Sequence, residues 1–507
     1  MKTIPEIVNY FNDDKAYILA EKNQFFSFAD MKRQMDWTED FFIKNQIHKK
    51  DVIAIVLENG PEMATCFLST ASNCCAAPLN PSYTESEFKF YLDDLKPKAL
   101  IVSENSVSPV IKLSIKKGIK IFRLIASNEN KLGKFSLKSD SQNKVNYKYK
   151  KNKIFPDDIA LVLHTSGTTS KPKMVPLTHL NLCSSAKNIV GTLKLARTDR
   201  CINIMPLFHI HGIVGLLLSS LFSGGSIFPS RGFNALNFFG WLDEISPTWF
   251  SAVPTMHQAI LIRASRNKKI ISRTKLRFVR SSSAPLSSKT MMEIENIFKC
   301  PLIESYGMTE ASHQMTSNHL PPGKRKALKA GFAAGPELAI LENNNIIFKN
   351  NKIGEIIIRG NNVTSGYLNN PKANKDSYYN GWFRTGDLGF FDHNGFLQLT
   401  GRIKEIINKG GEKISPIEID NVIMEHKSVF QAISFSISDK NLGEDIAAAV
   451  VLKNDHKLTQ QDIKEFLKKK LVPFKIPQKI LILKEIPKGK TGKLKRIGLA
   501  QKLGLEE

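Results

Sequence analysis

Four short strings in this 507-residue chain hold side chains suited to phosphate and sugar groups. The first is LHTSGTTSKPKMVPLTH at 163–179, where an apolar run feeds Thr, Ser and Gly and then two lysines around a proline. Small residues let backbone N–H groups approach phosphate oxygens, hydroxyls donate as well, and lysine adds charge. The string is not GxxxxGK[ST], which disfavours a standard P-loop nucleotide hydrolase. The second, ESYGMTEAS at 304–312, follows the apolar run PLI. A loop at the C-terminal end of a strand is where α/β proteins take ligands. Here Tyr306 offers a ring to a base, Thr309 a hydroxyl to phosphate, and Glu310 a carboxylate to a magnesium ion. The third, GWFRTGDLGFFDHNGFLQLTGRIKEIINKGGEKISPIEI at 381–419, sets Asp387 between glycines, suited to accept both hydroxyls of a ribose, with Arg402 to lock it. The fourth, IPKGKTGKLKR at 486–496, carries Lys493 after a glycine; residues 484–502 hold seven Lys or Arg and one acid. Each string alone also reads more plainly, as a turn, a buried tyrosine or a solvated charged face.

The elements that must position these groups follow from hydrophobic pattern. DVIAIVLEN (51–59), KALIVSEN (98–105) and IALVLHTSG (159–167) are short apolar runs ending in polar or Gly-rich turns. They alternate with amphipathic segments such as ESEFKFYLDDL (85–95), where Phe88, Tyr91 and Leu92 keep helical spacing. Buried strands alternating with helices predict a layered α/β sheet. Residues 131–153 are lysine-rich and read as a solvated excursion between two lobes. After FLQLTGR the texture changes to a short strand, EIINKGG. A helix start follows at SPIE, with Ser415 as N-cap, Pro416 at the first helical position and Glu418 closing a capping box. A second start is Thr459 with Asp462, followed by Ile463, Phe466 and Leu467 on one face. The expected fold is therefore α/β: a large N-terminal domain of layered α/β subdomains, residues 1–401, plus a small mobile α+β C-terminal domain, residues 402–507.

Length above one ordinary core agrees with two or more domains. Apolar residues at 42% and charged residues at 23% exclude a disordered chain or a fibre. The six cysteines show no CxxC spacing and suit a reducing compartment. The start, MKTIPEIVNYFNDDK, lacks the apolar stretch of a signal peptide. The longest apolar run, Ile213 to Phe222, is far short of the ~20 residues that span a bilayer. A soluble cytoplasmic protein with no membrane span is expected. The net charge of +25 is read as lysine-decorated surface, or as a field for polyanionic ligands. Nucleic-acid binding is the weaker reading, because no zinc knuckle, RNP-like aromatic motif or basic zipper accompanies the charge.

In this order and spacing, the four strings resemble the adenylate-forming superfamily of acyl-CoA synthetases, peptide-synthetase adenylation domains and luciferases, over essentially the whole chain. HTSGTTSKPK, PLFHIHG, AVPTMHQ, MTEASH and GRIKEIINKGGEKISPIEID further resemble the plant and yeast oxalate–CoA ligase group, within a coumarate-ligase-like branch. The resemblance implies an ATP-dependent ligase that uses magnesium and coenzyme A. It places Thr165, Ser166, Gly167, Thr168, Thr169 and Lys173 over the β- and γ-phosphates. Tyr306 and Gly307 would flank adenine, Thr309 would contact the α-phosphate, and Glu310 would hold magnesium. Asp387 and Arg402 would hold the ribose, and Lys404 would be the hinge of the small domain. Lys493 would reach the acyl carboxylate and α-phosphate during adenylation. Gly410, Gly411 and Glu412 would line the pantetheine route during thioester formation. Two departures stand out: Met174 replaces the usual glycine after Lys173, and 324–340 reads ALKAG in place of a PGSVG-like string.

The acyl pocket implied by the resemblance lies among PLFHIHG, SAVPTMH, RSSSAP and MTEASHQM. His209, His211, His257 and His313, with Ser281, Ser282 and Ser283, bring polar groups where fatty-acid ligases place apolar ones. An apolar tail would leave such groups unpaired, at roughly 1–3 kcal/mol each. A second carboxylate would satisfy them and hold a histidine protonated, and in the oxalate group the matching Ser283 and His313 bind oxalate. Each histidine also reads as a satisfied core residue. The expected acid is a small dicarboxylate, oxalate first; the alternatives are medium-chain fatty or aryl acids, an adenylation enzyme loading a carrier protein, and a binding protein that has lost activity. No obligate protein partner is evident.

Overall fold

A computed structural model describes residues 1–19, 24–127, 133–140, 153–165, 172–348, 351–453, 456–489 and 494–506. Two large sheets form the N-terminal body. In one, the strands Lys120–Ala126, Ala99–Ser103, Val52–Val56, Cys75–Pro78 and Ile159–His164 lie side by side in parallel. Antiparallel strands Phe135–Ser139 and Met174–Thr178 close its edges. Apolar runs, not alternating patterns, make these central strands, because helices cover both faces of a parallel sheet; four of the five residues in Val52–Val56 are buried.

The second sheet has nine strands, with a parallel centre of Ser226–Pro229, Arg200–Asn203, Trp249–Ala252, Phe278–Ser281 and Leu302–Met308. Strand His313–Ser317 returns antiparallel against Leu302–Met308. One continuous apolar core runs from Ile4 to Leu397 and joins the two sheets. A six-stranded sheet follows, built on Glu337–Glu342, Gly354–Arg359 and Trp382–Phe391, with Leu397–Arg402 paired to the last.

Beyond residue 402 the packing starts afresh. The long strands Val429–Asp439 and Gly443–Leu452 pair antiparallel and send alternate residues to two small cores. Ile446, Ala448 and Val450 meet helices Pro416–Glu425 and Gln460–Lys468 on one face, while Ala447, Ala449 and Val451 meet Ile486 and Leu499 on the other. Period-two alternation with both faces covered is what the sequence AAAVV allows.

Most sequence expectations hold. The segment 85–95 is a helix over Glu85–Leu95, capped by a Thr84–Glu87 box, and Thr459 forms its box with Asp462. Pro416 does begin a helix with Ser415 as N-cap, but no capping box forms. Ser415 Oγ donates instead to the Thr400 carbonyl, and Glu418 pairs with Lys475. The excursion expected over 131–153 is corrected at its start: Phe135 and Leu137 are buried in an edge strand. The apolar run after His211 is a buried π-helical segment, His211–Leu218, continued by helix Ser219–Ser223. Among the described residues no helix is long and apolar enough to cross a membrane. All six cysteines are unpaired and buried, and burial pushes their thiols up, out of reach of thiolate chemistry.

Candidate functional site

The Thr/Gly string joins two antiparallel strands in which His164 faces Met174. Its ends are tied together: Thr165 N–H donates to the Lys173 carbonyl at 2.9 Å, and Lys173 N–H donates to Thr165 Oγ1 at 3.1 Å. Ser166, Gly167, Thr168 and Thr169 lie outside the described residues. Met174 sits in extended backbone with its side chain in the core, and its carbonyl accepts from Leu368 N–H at 3.0 Å. Position 174 thus needs no left-handed backbone that would favour glycine.

Lys173 Nζ stands 4.4 Å over the ring of Tyr367, whose hydroxyl donates to Glu310 Oε1 at 2.8 Å. Thr309 opens the 3-10 turn Thr309–Ala311 that carries Glu310. Burial raises the Glu310 carboxyl above its ordinary range, against the Tyr367 hydroxyl, Arg402 and Lys173. Among the described residues no cluster of three or more His, Cys, Asp or Glu is arranged to hold a metal. One carboxylate is enough for magnesium, which keeps waters and substrate phosphates as its other ligands, and a cation would favour the ionised form that burial alone disfavours.

The Tyr306 hydroxyl donates to Asp387 Oδ2 at 2.5 Å, and Arg402 Nε pairs with Asp387 Oδ1 at 2.8 Å. Strand pairing sets Asp387 directly opposite Arg402, and the attraction of Asp387 raises the arginine further above its ordinary range. Gly307 is required by packing: a Cβ there would lie 1.6 Å from the His313 carbonyl oxygen. Tyr306, Gly307, Asp387, Arg402 and Ser283 line one cavity of about 450 Å³. Leu494, Lys495 and Arg496 from the C-terminal segment line its other side. Lys493 lies outside the described residues, next to Leu494. Gly410, Gly411 and Glu412 form the exposed tip of hairpin Ile407–Ile414 and do not line this cavity. Lys404 is exposed in the turn Ile403–Glu405, from which Glu405 pairs with Arg496 at 3.2 Å.

A polar cluster lies where the acid is expected. His211 and His313 stack at 4.8 Å between ring centroids. His211 Nε2 lies 2.7 Å from Ser251 Oγ, and its Nδ1 lies 3.2 Å from Ser283 Oγ. His209 is half-buried, its Nδ1 accepting from His211 N–H at 3.3 Å. Ser283 and His313 hold φ of +75° and +96°, unusual for residues with a side chain and costly unless the surroundings enforce them. His257 stands apart and corrects the expectation of four clustered histidines. Its ring packs 6.0 Å from Phe250, on the strand face opposite Ser251. Complete burial there lowers its pKa to about 4 and keeps it neutral.

Three functional groups were not read from the sequence. Tyr367 bridges Lys173 and Glu310; Arg280 is buried beside His313. Glu304 is buried at the cavity wall, Oε1 weakly held by Leu286 N–H at 3.4 Å and Oε2 without a partner. The signal was a charged residue inside an apolar strand, in FVRS and LIES. Burial raises the Glu304 carboxyl to about 8. Between its unfolded pKa and 8 the folded chain holds a proton that the unfolded chain has released, so stability falls as pH rises through that window. Glu304→Gln is expected to match the parent near pH 5 and to exceed it by a few kcal/mol at pH 9. Urea unfolding at both pH values checks this; a constant difference between the two proteins would contradict it.

Comparison with known proteins agrees with this geometry. The AMP-binding enzyme family matches residues 6–368, and the AMP-binding enzyme C-terminal domain matches 418–493. Oxalate–CoA ligase of Saccharomyces cerevisiae is 40% identical, over 97% of this chain and 95% of that protein. Oxalate–CoA ligase of Arabidopsis thaliana is 43% identical, over 89% of this chain and 88% of its own. Among solved structures, the ATP-bound RpMatB–BxBclM chimera B3 superposes with a TM-score of 0.87 at 25% identity, covering 99% of both chains. The chain belongs to the AMP-binding enzyme family.

Proposed function

We propose that the protein is an ATP-dependent acid–CoA ligase that works through an acyl-adenylate, and that its acid is a small dicarboxylate, oxalate first. The observation that carries the choice of acid is the His211–His313–Ser283 cluster beside the nucleotide cavity. It agrees with relatives at 40 and 43% identity that are oxalate–CoA ligases. In the first half-reaction a carboxylate oxygen attacks the α-phosphorus of ATP and pyrophosphate leaves. Two anions must be brought together, so positioning and charge neutralisation dominate.

Thr165 to Thr169 and Lys173 hold the β- and γ-phosphates, Thr309 contacts the α-phosphate, and Tyr306 with Gly307 flanks adenine. Asp387 accepts from both ribose hydroxyls, with Arg402 fixing the carboxylate. Glu310 would hold magnesium, which neutralises phosphate charge when bound. Lys493 reaches the reacting carboxylate and α-phosphate. Leu494 on the cavity wall, with Gly410 to Glu412 away from it, supports reading this arrangement as that of the first half-reaction.

In the second half-reaction the thiol of coenzyme A attacks the acyl carbonyl and AMP leaves. The small domain, from residue 402 on, turns about Lys404, so that Lys493 withdraws and Gly410, Gly411 and Glu412 line the pantetheine route. Among the described residues, the side-chain ties that cross to the large body include single hydrogen bonds such as Gln431 to Gln258 at 3.2 Å and Gln258 to the Phe430 carbonyl at 3.3 Å, which supports such a turn. Six unpaired buried cysteines support a cytoplasmic setting, and the partners are small molecules, without nucleic acid. Acid-dependent ATP–pyrophosphate exchange tests the reading. Exchange with oxalate and transfer to free coenzyme A are expected; rapid exchange with medium-chain fatty or cinnamic acids and none with oxalate would end the dicarboxylate assignment.

A further inference from the structure

Arg280 lies on strand Phe278–Ser281 with its side chain completely buried. Its Nη2 donates to Gln314 Oε1 at 2.9 Å, its Nη1 donates to His313 Nε2 at 3.0 Å, and its Nε has no partner. Among the described residues no carboxylate pairs with it. A buried guanidinium without a counter-ion is costly, and replacing it by an apolar residue would ordinarily be the cheaper solution. Burial lowers its pKa to about 9, which leaves it charged at neutral pH.

The contact fixes the state of His313. A guanidinium nitrogen only donates, so His313 Nε2 accepts, the ring is neutral, and Nδ1–H is its donor. A second positive charge on that ring would stand 3.0 Å from the first. The arrangement is tightly built: a Cβ on Gly215 would fall 2.6 Å from His313 Nε2 and 3.0 Å from His211 Cδ2. In register across the sheet, Asn203, Ser251 and Arg280 form a polar row on one face of an otherwise apolar layer. The positive charge beside His313 therefore belongs to the arginine behind it, where the sequence suggested only that some histidine of the cluster would be held protonated.

We infer that Arg280 is a positioning residue that sets acid specificity: its unneutralised charge, behind neutral His313 and the stacked His211 with Ser283, favours acids that keep a second carboxylate after the first is adenylated. This rests on the dicarboxylate reading of the site. A monocarboxylate gives up its charge on adenylation and leaves the guanidinium unbalanced.

The test compares Arg280→Met and Arg280→Lys with the parent, using kcat/KM for oxalate and for acetate by ATP–pyrophosphate exchange, together with KM for ATP. Nitrogen-15 NMR of the His313 ring reports its tautomer. Arg280→Met is expected to lower the oxalate-to-acetate ratio by about 100-fold, leave KM for ATP within about threefold, and lose the Nδ1–H preference. Arg280→Lys should recover most of the ratio. Equal losses with both acids would reduce Arg280 to a structural residue and overturn the inference alone. A parent enzyme that uses acetate and refuses oxalate would overturn the dicarboxylate reading, and this inference with it. If Arg280→Met does not fold, the parent decides: an Nε2–H tautomer of His313 overturns the inference, and Nδ1–H supports it.

Discussion

Lys493→Ala is expected to lower oxalate-dependent ATP–pyrophosphate exchange by about 10²–10³-fold, the usual loss when one donor to a developing charge is removed. Thioester formation from supplied oxalyl-adenylate and coenzyme A should stay within about threefold of the parent. The split follows from the two half-reactions. Pentacoordinate phosphorus carries charge that an ammonium can stabilise, whereas the proposed domain turn would withdraw Lys493 before the thiol attacks the acyl carbonyl. Leu494 and Arg496 on the cavity wall bring the end of the fourth string to the same cavity as Tyr306, Asp387 and Arg402. Exchange unchanged in the variant, or both half-reactions lost alike, would remove Lys493 from its assigned role.

The second large effect is expected at Asp387. Its two oxygens already anchor the Tyr306 hydroxyl at 2.5 Å and Arg402 at 2.8 Å, and the side chain is buried. Asp387→Ala removes the acceptor proposed for the ribose hydroxyls and takes one partner each from Tyr306 and Arg402. Hydrogen bonds to a charged group contribute about 1.5–3 kcal/mol each, so losing two should lower ATP affinity by about 10²–10⁴-fold. Calorimetric titration with ATP measures this directly, with the KM for oxalate at saturating ATP little changed. A dissociation constant within about threefold of the parent would place the ribose elsewhere.

What the sequence made legible and what it hid differ in kind. Thr459 caps its helix as read because both partners of the box lie within three residues; the same kind of box at Thr84 and Glu87 was not read, the helix there being found from its apolar spacing. Ser415 looked like Thr459 in sequence, yet the Thr400 carbonyl and Lys475 took its partners, and neither is visible from SPIE. The lysines around Phe135 masked a strand whose Phe-x-Leu alternation was present in FSLKS. In the site, Asp387 and Arg402 were readable because one string carries both and strand pairing sets them face to face, whereas Tyr306 reaches Asp387 from another sheet, 81 residues away, and was read from its own string alone. Arg280, Glu304 and Tyr367 were not, since their importance comes from burial and from partners 33, 18 and 57 residues away. His257 shows the reverse error: a polar residue beside the right string, turned to the wrong face of the sheet.

The most direct test of the acyl-adenylate route is isotopic. Oxalate labelled with oxygen-18 is incubated with the protein, ATP, magnesium and coenzyme A, and the products are resolved by mass spectrometry. Attack of a carboxylate oxygen on the α-phosphorus, followed by thiol attack on the carbonyl carbon, leaves one labelled oxygen in the phosphate of AMP and the other three in oxalyl-CoA, with pyrophosphate unlabelled. Label in inorganic phosphate with ADP as the nucleotide product, or thioester formed with unlabelled AMP, would contradict the account.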